Sequence, residues 1–207
     1  MNNNKAEVWS QIQVALSNMN GLEIIAVISA LLYVILAARK SLMCWPAAII
    51  SSICYGLLFS QAKLYSESLL QVFYLAMAVY GWLNWRKNLN SDEELLIQEW
   101  SVKSHFLNIS LSLLVSLFIG YLFSRTEASY PYIDAFTTIF AVSATFMVVK
   151  RVLSNWLYWI VIDAVGVGLF AAKGLYLTSA LFILYVVIAV IGYMKWKNSK
   201  AKQIVNG

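Results

Sequence analysis

One carboxylate and two indoles share a stripe on a long apolar segment. Asp163 lies near the middle of an apolar run over residues 152–172, which is long enough to cross a membrane. Trp156 and Trp159 precede it, and at 100° per residue the three positions fall within about 60° of one another on a helix. Since a carboxylate at mid-bilayer costs about 2.5–3.5 kcal/mol, the pattern favours a pocket in which the indoles stack on a flat cationic ring that balances the acid. Trp156 taken alone equally fits an interfacial aromatic belt, because it closely follows Arg151.

Other polar side chains in apolar segments complete the candidate binding site. Gln71 and Tyr74 share a stripe of the third segment, and Tyr185 lies at the matching position of the last one. The Gln71 amide needs a hydrogen-bond partner in hydrocarbon, either a neighbouring helix or a substrate. Asp134 opens the fifth segment, where an acid suits a helix N-terminus. We expect capping or gating there in preference to substrate binding.

The sequence carries little that would support enzyme chemistry. Its single histidine, His105, is expected at the end of a loop, and no nucleotide-binding G-x-x-x-x-G-K-[ST] run occurs. Cys44 and Cys54 lie inside an apolar run, which predicts buried, inert thiols and no disulfide or metal site. We therefore expect neither enzyme activity nor a cofactor.

Composition indicates an integral membrane protein. The chain has 207 residues, of which 61% are hydrophobic and 12% charged, whereas soluble domains carry about 25% charge. A body this small cannot bury so much apolar surface without a lipid bilayer. The net charge of +5 comes from basic pairs at the ends of apolar runs, which is typical of topology signals and argues against nucleic-acid binding.

Seven apolar segments predict an all-α protein with seven transmembrane helices. They cover residues 22–38, 41–60, 66–85, 106–123, 132–149, 152–172 and 176–196. We divide the chain into an interfacial N-terminal segment (1–20), a first three-helix bundle (21–87), a connector with linking helix (88–130), a second bundle (131–197) and a cytoplasmic tail (198–207). Helical spacing over residues 6–19 predicts a short helix on the membrane surface. A capping box at residues 91–94 predicts another in the connector.

Basic residues predict the orientation. If the connections alternate sides, four Lys and Arg residues lie on one side and eleven on the other. The richer side faces the cytoplasm, so the N-terminus is expected outside and the C-terminus inside.

The first and last three segments match at an offset of 111 residues. Tryptophan, tyrosine and glycine recur in register, and the matching pairs are Trp45 and Trp156, Tyr74 and Tyr185, Gly81 and Gly192, and Trp85 and Trp196. Glu23 and Asp134 also correspond. Three helices per repeat and one linking helix give two repeats of the same orientation, an arrangement found in transporters.

Three stretches resemble the PnuC family of vitamin transporters. Residues 69–74 (LLQVFY) and 80–85 (YGWLNW) resemble that family's third span, and residues 155–163 (NWLYWIVID) resemble its sixth-span signature W-x-x-W-x-x-x-N. The resemblance covers nearly the whole chain. It implies a fold similar to the SWEET sugar transporters, a bacterial inner-membrane location and a homotrimer. It also implies facilitated diffusion of a cationic aromatic B-vitamin, which a cytoplasmic kinase traps.

Asp163 departs from the nicotinamide riboside signature, in which Asn stands at this position. An acid is expected in the thiamine-transporting branch, and a thiamine aminopyrimidine can donate an N–H to a carboxylate. The sequence therefore favours thiamine, with nicotinamide riboside as the alternative. The predicted binding residues are Trp156, Trp159, Asp163, Gln71, Tyr74 and Tyr185.

Three further interpretations stay open. A SWEET-like sugar facilitator shares the layout but leaves the buried acid unexplained. A proton-coupled symporter would use Asp163 as its titrating group. A membrane scaffold without transport activity fits the hydropathy but not the Trp–Asp stripe.

Overall fold

Seven α-helices account for most of the described chain. The structure, a computed structural model, describes residues 10, 13–14, 17, 19–61, 65–89, 96–126 and 130–206. Within these residues the helices are α1 (Gly21–Ala38), α2 (Cys44–Gln61), α3 (Tyr65–Leu89), α4 (Val102–Phe123), α5 (Pro131–Val149), α6 (Asn155–Ala172) and α7 (Tyr176–Asn206). All except α3 are long and apolar enough to cross a membrane. Because α3 includes Glu67, Arg86 and Lys87, its average hydropathy is lower, and its crossing remains a prediction.

Local sequence determines where several helices begin. Asn20 caps α1 by accepting a hydrogen bond from the Glu23 backbone N–H at 2.8 Å. Ser101 caps α4 in the same way, accepting from the Ser104 N–H at 3.2 Å. Pro131 starts α5, where its fixed φ and missing N–H cost nothing.

Two turns of the same geometry join α1 to α2 and α5 to α6. Lys40 (φ 58°) and Arg151 (φ 59°) each adopt the left-handed conformation. The residue after each donates its N–H to the carbonyl five residues earlier, as Ser41 does to Leu36 at 3.0 Å. This bond is typical of the Schellman motif that ends helices. The turn therefore delays α6 to Asn155, three residues beyond the start predicted for that span.

Six of the helices form a closed ring. Each packs on two neighbours in the order α1, α2, α3, α5, α6, α7 and back to α1. The fourth helix packs on α5 and leaves a largely apolar surface exposed, which includes Phe106, Leu114 and Phe118. The junctions α3–α5 and α7–α1 are the two places where the first three helices meet the last three.

Four buried tryptophans connect the two halves of the ring, and we call Trp45, Trp85, Trp156 and Trp196 the tryptophan quartet. Trp45 meets Trp85 edge to face at 5.1 Å and 85°, and Trp156 meets Trp196 at 5.6 Å and the same angle. The rings of Trp85 and Trp196 lie 6.1 Å apart. The quartet thus repeats one ring contact at the predicted 111-residue spacing.

Small residues make room for the outer rings of the quartet. A Cβ added to Gly81 would lie 2.3 Å from the Trp45 ring, and one added to Gly192 would lie 2.8 Å from the Trp156 ring. A serine contact repeats at the same spacing. Ser68 donates to the Gly56 carbonyl at 3.1 Å, and 111 residues later the matching bond is 2.9 Å.

The described part of the connector lies across the end of the ring that carries the quartet. Gln98 pairs with the turn before α6, donating its N–H to the Arg151 carbonyl at 2.9 Å and accepting from the Leu153 N–H at 2.8 Å. Ile97 is buried against the quartet, and its N–H donates to the Gln203 side chain at 3.1 Å. The connector therefore ties the second half of the ring to the C-terminal part of α7.

Several boundaries differ from those predicted. The last helix continues to Asn206 through the segment expected to be a tail. His105 lies in the first turn of α4, so its predicted place at a loop end was wrong, because the Ser101 cap starts the helix earlier. The capping box at 91–94 and most of the predicted interfacial helix at 6–19 fall outside the described residues. The proposed division into domains stays a prediction.

Candidate functional site

Asp163 lies midway along α6 and is buried, with 6% of its surface exposed. Among the residues that the structure describes, its carboxylate has no hydrogen-bond or ion-pair partner. Burying an unpaired carboxylate is costly, so this group is the strongest candidate for contact with a ligand.

Tyr185 is the predicted site residue on α7, the helix that packs on α6 and its buried acid. Phe182 packs edge to face against Tyr185 at 5.8 Å. It also fills the space beside Gly166, where an added Cβ would lie 2.3 Å from its ring. Aromatic groups of α7 therefore lie against the α6 turn that carries Gly166, next to the turn of Asp163.

The two tryptophans of the predicted stripe differ in burial. Trp159, one turn before Asp163, is partly buried and packs against two clusters, one that contains Phe140 and Ile162 and one that contains the quartet. Trp156 is 2% exposed and belongs to the tryptophan quartet. Its indole N–H has no hydrogen-bond acceptor within the described residues. Trp159 thus lies one turn from the acid, and Trp156 is part of the packed quartet at the connector end.

Gln71 and Tyr74 lie on α3, on the other half of the ring. Gln71 lies against α2: a Cβ added to Gly56 would lie 3.5 Å from the Cβ of Gln71. No hydrogen bond, ion pair or ring contact in the described part of the chain links Gln71 or Tyr74 directly to Asp163. The Gln71 amide makes no hydrogen bond with any described residue either. Gln71 and Tyr74 therefore make no contact with Asp163 among those given by the described residues, and their role in binding remains a prediction.

Asp134 forms an ion pair in the first turn of α5. Both of its carboxylate oxygens lie 3.2 Å from the Lys173 Nζ. The helix cap itself is Tyr130, in the left-handed conformation and without a side-chain capping bond. Asp134 therefore links α5 to the end of α6, and a gating role stays a prediction.

The connector end of the ring is densely packed. Trp85 donates its indole N–H to the Val149 carbonyl at 3.1 Å, and Trp196 donates to the Ala37 carbonyl at 3.0 Å. Arg151 is buried beside them, and burial lowers the pKa of its guanidinium below the ordinary value. Two nitrogens of this guanidinium find no acceptor among the described residues. These contacts close the ring on the side away from Glu23.

An open pocket of about 170 Å³ lies outside the quartet at the start of α4 and α6. Its lining residues are Glu99, Trp100, His105, Leu153, Ser154, Leu157 and Tyr193. His105 is held on both ring nitrogens, by Tyr158 and by Ser154, each at 3.1 Å. Sequence reasoning missed this network, because it belongs to no recognisable motif.

Comparison with known proteins decides the family. Residues 20–198 match the family model described as nicotinamide mononucleotide transporter. The chain belongs to this transporter family. The predicted resemblance to PnuC proteins is thereby confirmed.

Curated relatives of this family support the assignment. The chain is 24% identical to the nicotinamide riboside transporter PnuC of Escherichia coli, covering 88% of this chain and 87% of that protein. It is 25% identical to the PnuC of Haemophilus influenzae, with 92% and 84% covered. It is also 22% identical to the riboflavin/roseoflavin transporter RibM of Streptomyces davaonensis, with 82% and 81% covered. As a member of this family, the protein is a multi-pass transporter of the bacterial inner membrane.

A solved structure has the same fold. The crystal structure of the vitamin B3 transporter PnuC superposes with a TM-score of 0.74 at 20% sequence identity, covering 94% of this chain and 88% of that one. The seven-helix arrangement is therefore the fold of a family member.

Proposed function

We propose that the protein carries nicotinamide riboside, a cationic aromatic B-vitamin, across the inner membrane by facilitated diffusion. The observation that supports a cationic substrate is Asp163, a buried acidic residue whose carboxylate has no partner among the described residues, and the choice of the riboside rests on the named relatives. It stands at the position of the Asn in the family signature. The pyridinium ring of the riboside supplies a fixed positive charge to balance this acid, and its amide and hydroxyls supply hydrogen-bond donors.

Neighbouring groups fit the same ligand. Trp159, Phe182 and Tyr185 offer aromatic surface for a flat electron-poor ring. The Gln71 amide lacks a partner in the described part of the chain, so it is free to bind polar atoms of a substrate. The Trp156 indole N–H also lacks a described acceptor, but it is buried in the quartet and would reach a substrate only when the quartet opens. In this proposal Gln71 and Tyr74 reach the substrate from the opposite half of the ring.

Relatives favour the riboside over the thiamine that the sequence alone favoured. The PnuC proteins of Escherichia coli and Haemophilus influenzae are named for nicotinamide riboside, and RibM is named for riboflavin and roseoflavin. Thiamine remains a second candidate because of one observation, the acid at position 163. A carboxylate accepts the aminopyrimidine N–H of thiamine better than an amide does.

The mechanism we propose uses two parallel three-helix repeats in a SWEET-like arrangement. The matching tryptophan and serine contacts support such repeats. With the N-terminus outside, the tryptophan quartet and the connector close the cytoplasmic end, and rocking of one half against the other would open it. Asp134 and Lys173 would then lie at the outer end.

No coupled ion is needed for uptake of a cation. A monovalent cation gains about 2.3 kcal/mol per 100 mV when it moves to a negative interior. A cytoplasmic kinase would trap the vitamin by phosphorylation, and the working unit would be a homotrimer in the lipid bilayer.

Calorimetric titration of the detergent-purified protein tests the choice of vitamin. Nicotinamide riboside, thiamine and riboflavin are titrated separately. Saturable binding of the riboside supports the proposal. Binding of thiamine without the riboside would make the second candidate correct, and binding of riboflavin alone would contradict a role for the positive charge.

A further inference from the structure

The open pocket at the start of α4 and α6 lies outside the ring, and Asp163 is not among its lining residues. Its volume is about 170 Å³. Since a water molecule occupies about 30 Å³ in the liquid, the pocket has room for about five or six waters. Pockets for drug-sized ligands are larger, at about 300–1,000 Å³. The open pocket therefore suits one small polar group and not a whole nucleoside.

This pocket adjoins the surface that faces lipid. Val102 and Phe106, at the start of α4, are 85% and 74% exposed, and Leu157 at the start of α6 is 45% exposed. On membrane-spanning helices such apolar side chains face the hydrocarbon chains. The pocket is also lined by Trp100 and Tyr193, residue types that are enriched where a membrane meets water. It therefore lies at the level of the lipid headgroups.

The rim of the pocket holds an ion pair that water can reach. The Lys200 Nζ lies 2.5 Å from a Glu99 carboxylate oxygen, and the Glu99 side chain is 58% exposed. A pair this exposed contributes about 0–1 kcal/mol, so a ligand that replaces it with two new ion pairs loses little. Lys197 is close by, with its Nζ 6.0 Å from the centre of the Tyr193 ring. The rim therefore offers both an acid and cations to a ligand.

Aromatic rings form fixed walls of the pocket. Trp100 packs against His105 with the ring centroids 5.7 Å apart. Tyr158 and Ser154 hold the two ring nitrogens of His105, each at 3.1 Å. The walls are thus arranged before any ligand arrives, which lowers the cost of binding. The faces of tryptophan and tyrosine rings attract ammonium groups, so Trp100 and Tyr193 favour a ligand that carries one.

We propose that the open pocket binds the headgroup of a phospholipid with a primary amine, phosphatidylethanolamine. The ammonium group pairs with the Glu99 carboxylate beside the Trp100 and Tyr193 rings. The phosphate pairs with Lys200, near the positive N-terminal ends of α4 and α6, and the acyl chains lie along the exposed apolar side of α4. The lipid thereby joins the connector to α6 and α7 and stabilises the connector end of the ring. This inference does not depend on which vitamin is carried.

Headgroup chemistry predicts an order of lipids for this pocket. A primary ammonium donates hydrogen bonds to a carboxylate, whereas the trimethylammonium of phosphatidylcholine has no hydrogen to donate. Phosphatidylglycerol has a phosphate but no ammonium to balance Glu99. We therefore expect phosphatidylethanolamine to bind about tenfold more tightly than either of the other two, a difference of about 1.4 kcal/mol.

Thermal unfolding of the detergent-purified protein measures this binding, because a lipid that binds only the folded protein raises the unfolding temperature. Short-chain forms of the three lipids are added separately at equal mole fraction, and soluble phosphoethanolamine is a fourth addition. Glu99→Gln and Trp100→Leu are compared with the matched control Glu67→Gln, in the exposed first turn of α3. Each variant is compared with itself without lipid, so a general loss of stability does not affect the result.

We expect phosphatidylethanolamine to raise the unfolding temperature about 3–5 °C more than the other two lipids, in the wild type and in Glu67→Gln. This excess should disappear in Glu99→Gln and fall by about half or more in Trp100→Leu. If Glu99→Gln does not fold, Trp100→Leu decides.

Three results would overturn the lipid site. The first is an equal shift, or none, from the three lipids, and a larger shift from phosphatidylglycerol or phosphatidylcholine counts in the same way. The second is an undiminished phosphatidylethanolamine shift in Glu99→Gln or in Trp100→Leu. The third is the full shift from phosphoethanolamine alone, which would assign the pocket to a soluble zwitterion.

Discussion

Trp85 and Trp196 lie with their ring centroids 6.1 Å apart, and each donates its indole N–H to a carbonyl of the opposite half of the ring. Their outer partners, Trp45 and Trp156, have no acceptor for the indole N–H among the described residues. The quartet therefore contains two tryptophans that fasten the halves together and two that only pack. This difference gives the first prediction a matched control.

Trp85→Phe should destabilise the purified protein more than Trp45→Phe. Both substitutions shrink a fully buried ring, but only Trp85 loses a hydrogen bond, worth about 1 kcal/mol. Asn84 donates to the same Val149 carbonyl at 2.8 Å, so that oxygen keeps one partner and the loss stays modest. Thermal unfolding in detergent measures both variants. Equal losses would mean that the Val149 bond contributes nothing.

Glycine at position 81 should be required for packing. A Cβ there would lie 2.3 Å from the Trp45 ring, and overpacking of this kind costs about 1–3 kcal/mol. Gly81→Ala should therefore lower the unfolding temperature. Gly168→Ala is the control, because nothing lies within 4 Å of its added Cβ and alanine is the better helix former. A stable Gly81→Ala variant would contradict the close approach of α2 and α3.

Substitutions of Asp163 should separate the two vitamins. Asp163→Leu removes both the charge and the hydrogen-bond acceptor, so it should weaken binding of the cation by at least about tenfold, or 1.4 kcal/mol. Asp163→Asn keeps an acceptor, so riboside affinity should stay within about threefold while thiamine affinity falls about tenfold. Titration calorimetry measures both. Unchanged affinity in Asp163→Leu would remove the acid from the site.

His105 should stabilise the attachment of α4. His105→Phe removes hydrogen bonds to Tyr158 and Ser154, each 3.1 Å long, at an expected cost of about 1–2 kcal/mol. Tyr158 retains Asn108 as a partner at 3.3 Å. Lys103→Ala, on the same exposed turn, is the control and should change little. Equal unfolding temperatures for His105→Phe and Lys103→Ala would show that the His105 hydrogen bonds do not stabilise the protein.

Sequence patterns predicted the parts of the fold that hydropathy and residue spacing determine directly. The boundaries of α1, α4 and α5 agree with the apolar segments within a few residues, because a helix must be apolar over the width of a bilayer. The spacing of Trp45, Trp85, Trp156 and Trp196 indicated two matching repeats, since tryptophan seldom recurs in register by chance.

The candidate site was predictable only in part. Asp163 stood out because an acid in an apolar helix is rare and costly. The packing of Trp156 against Trp196 could not be predicted, because helical periodicity gives a face but not the neighbour that covers it. Ile97 and Gln98 have no periodic pattern, so their position across the end of the ring depends on tertiary contacts alone.

Uptake of nicotinamide riboside by the wild-type protein in proteoliposomes tests the central claim most directly. Vesicles with and without the protein are given labelled riboside at zero potential and at an inside-negative potential. The predicted result is saturable, protein-dependent uptake that increases with the negative potential, because each translocated cation gains about 2.3 kcal/mol per 100 mV. Riboside uptake no faster than in protein-free vesicles would contradict the claim.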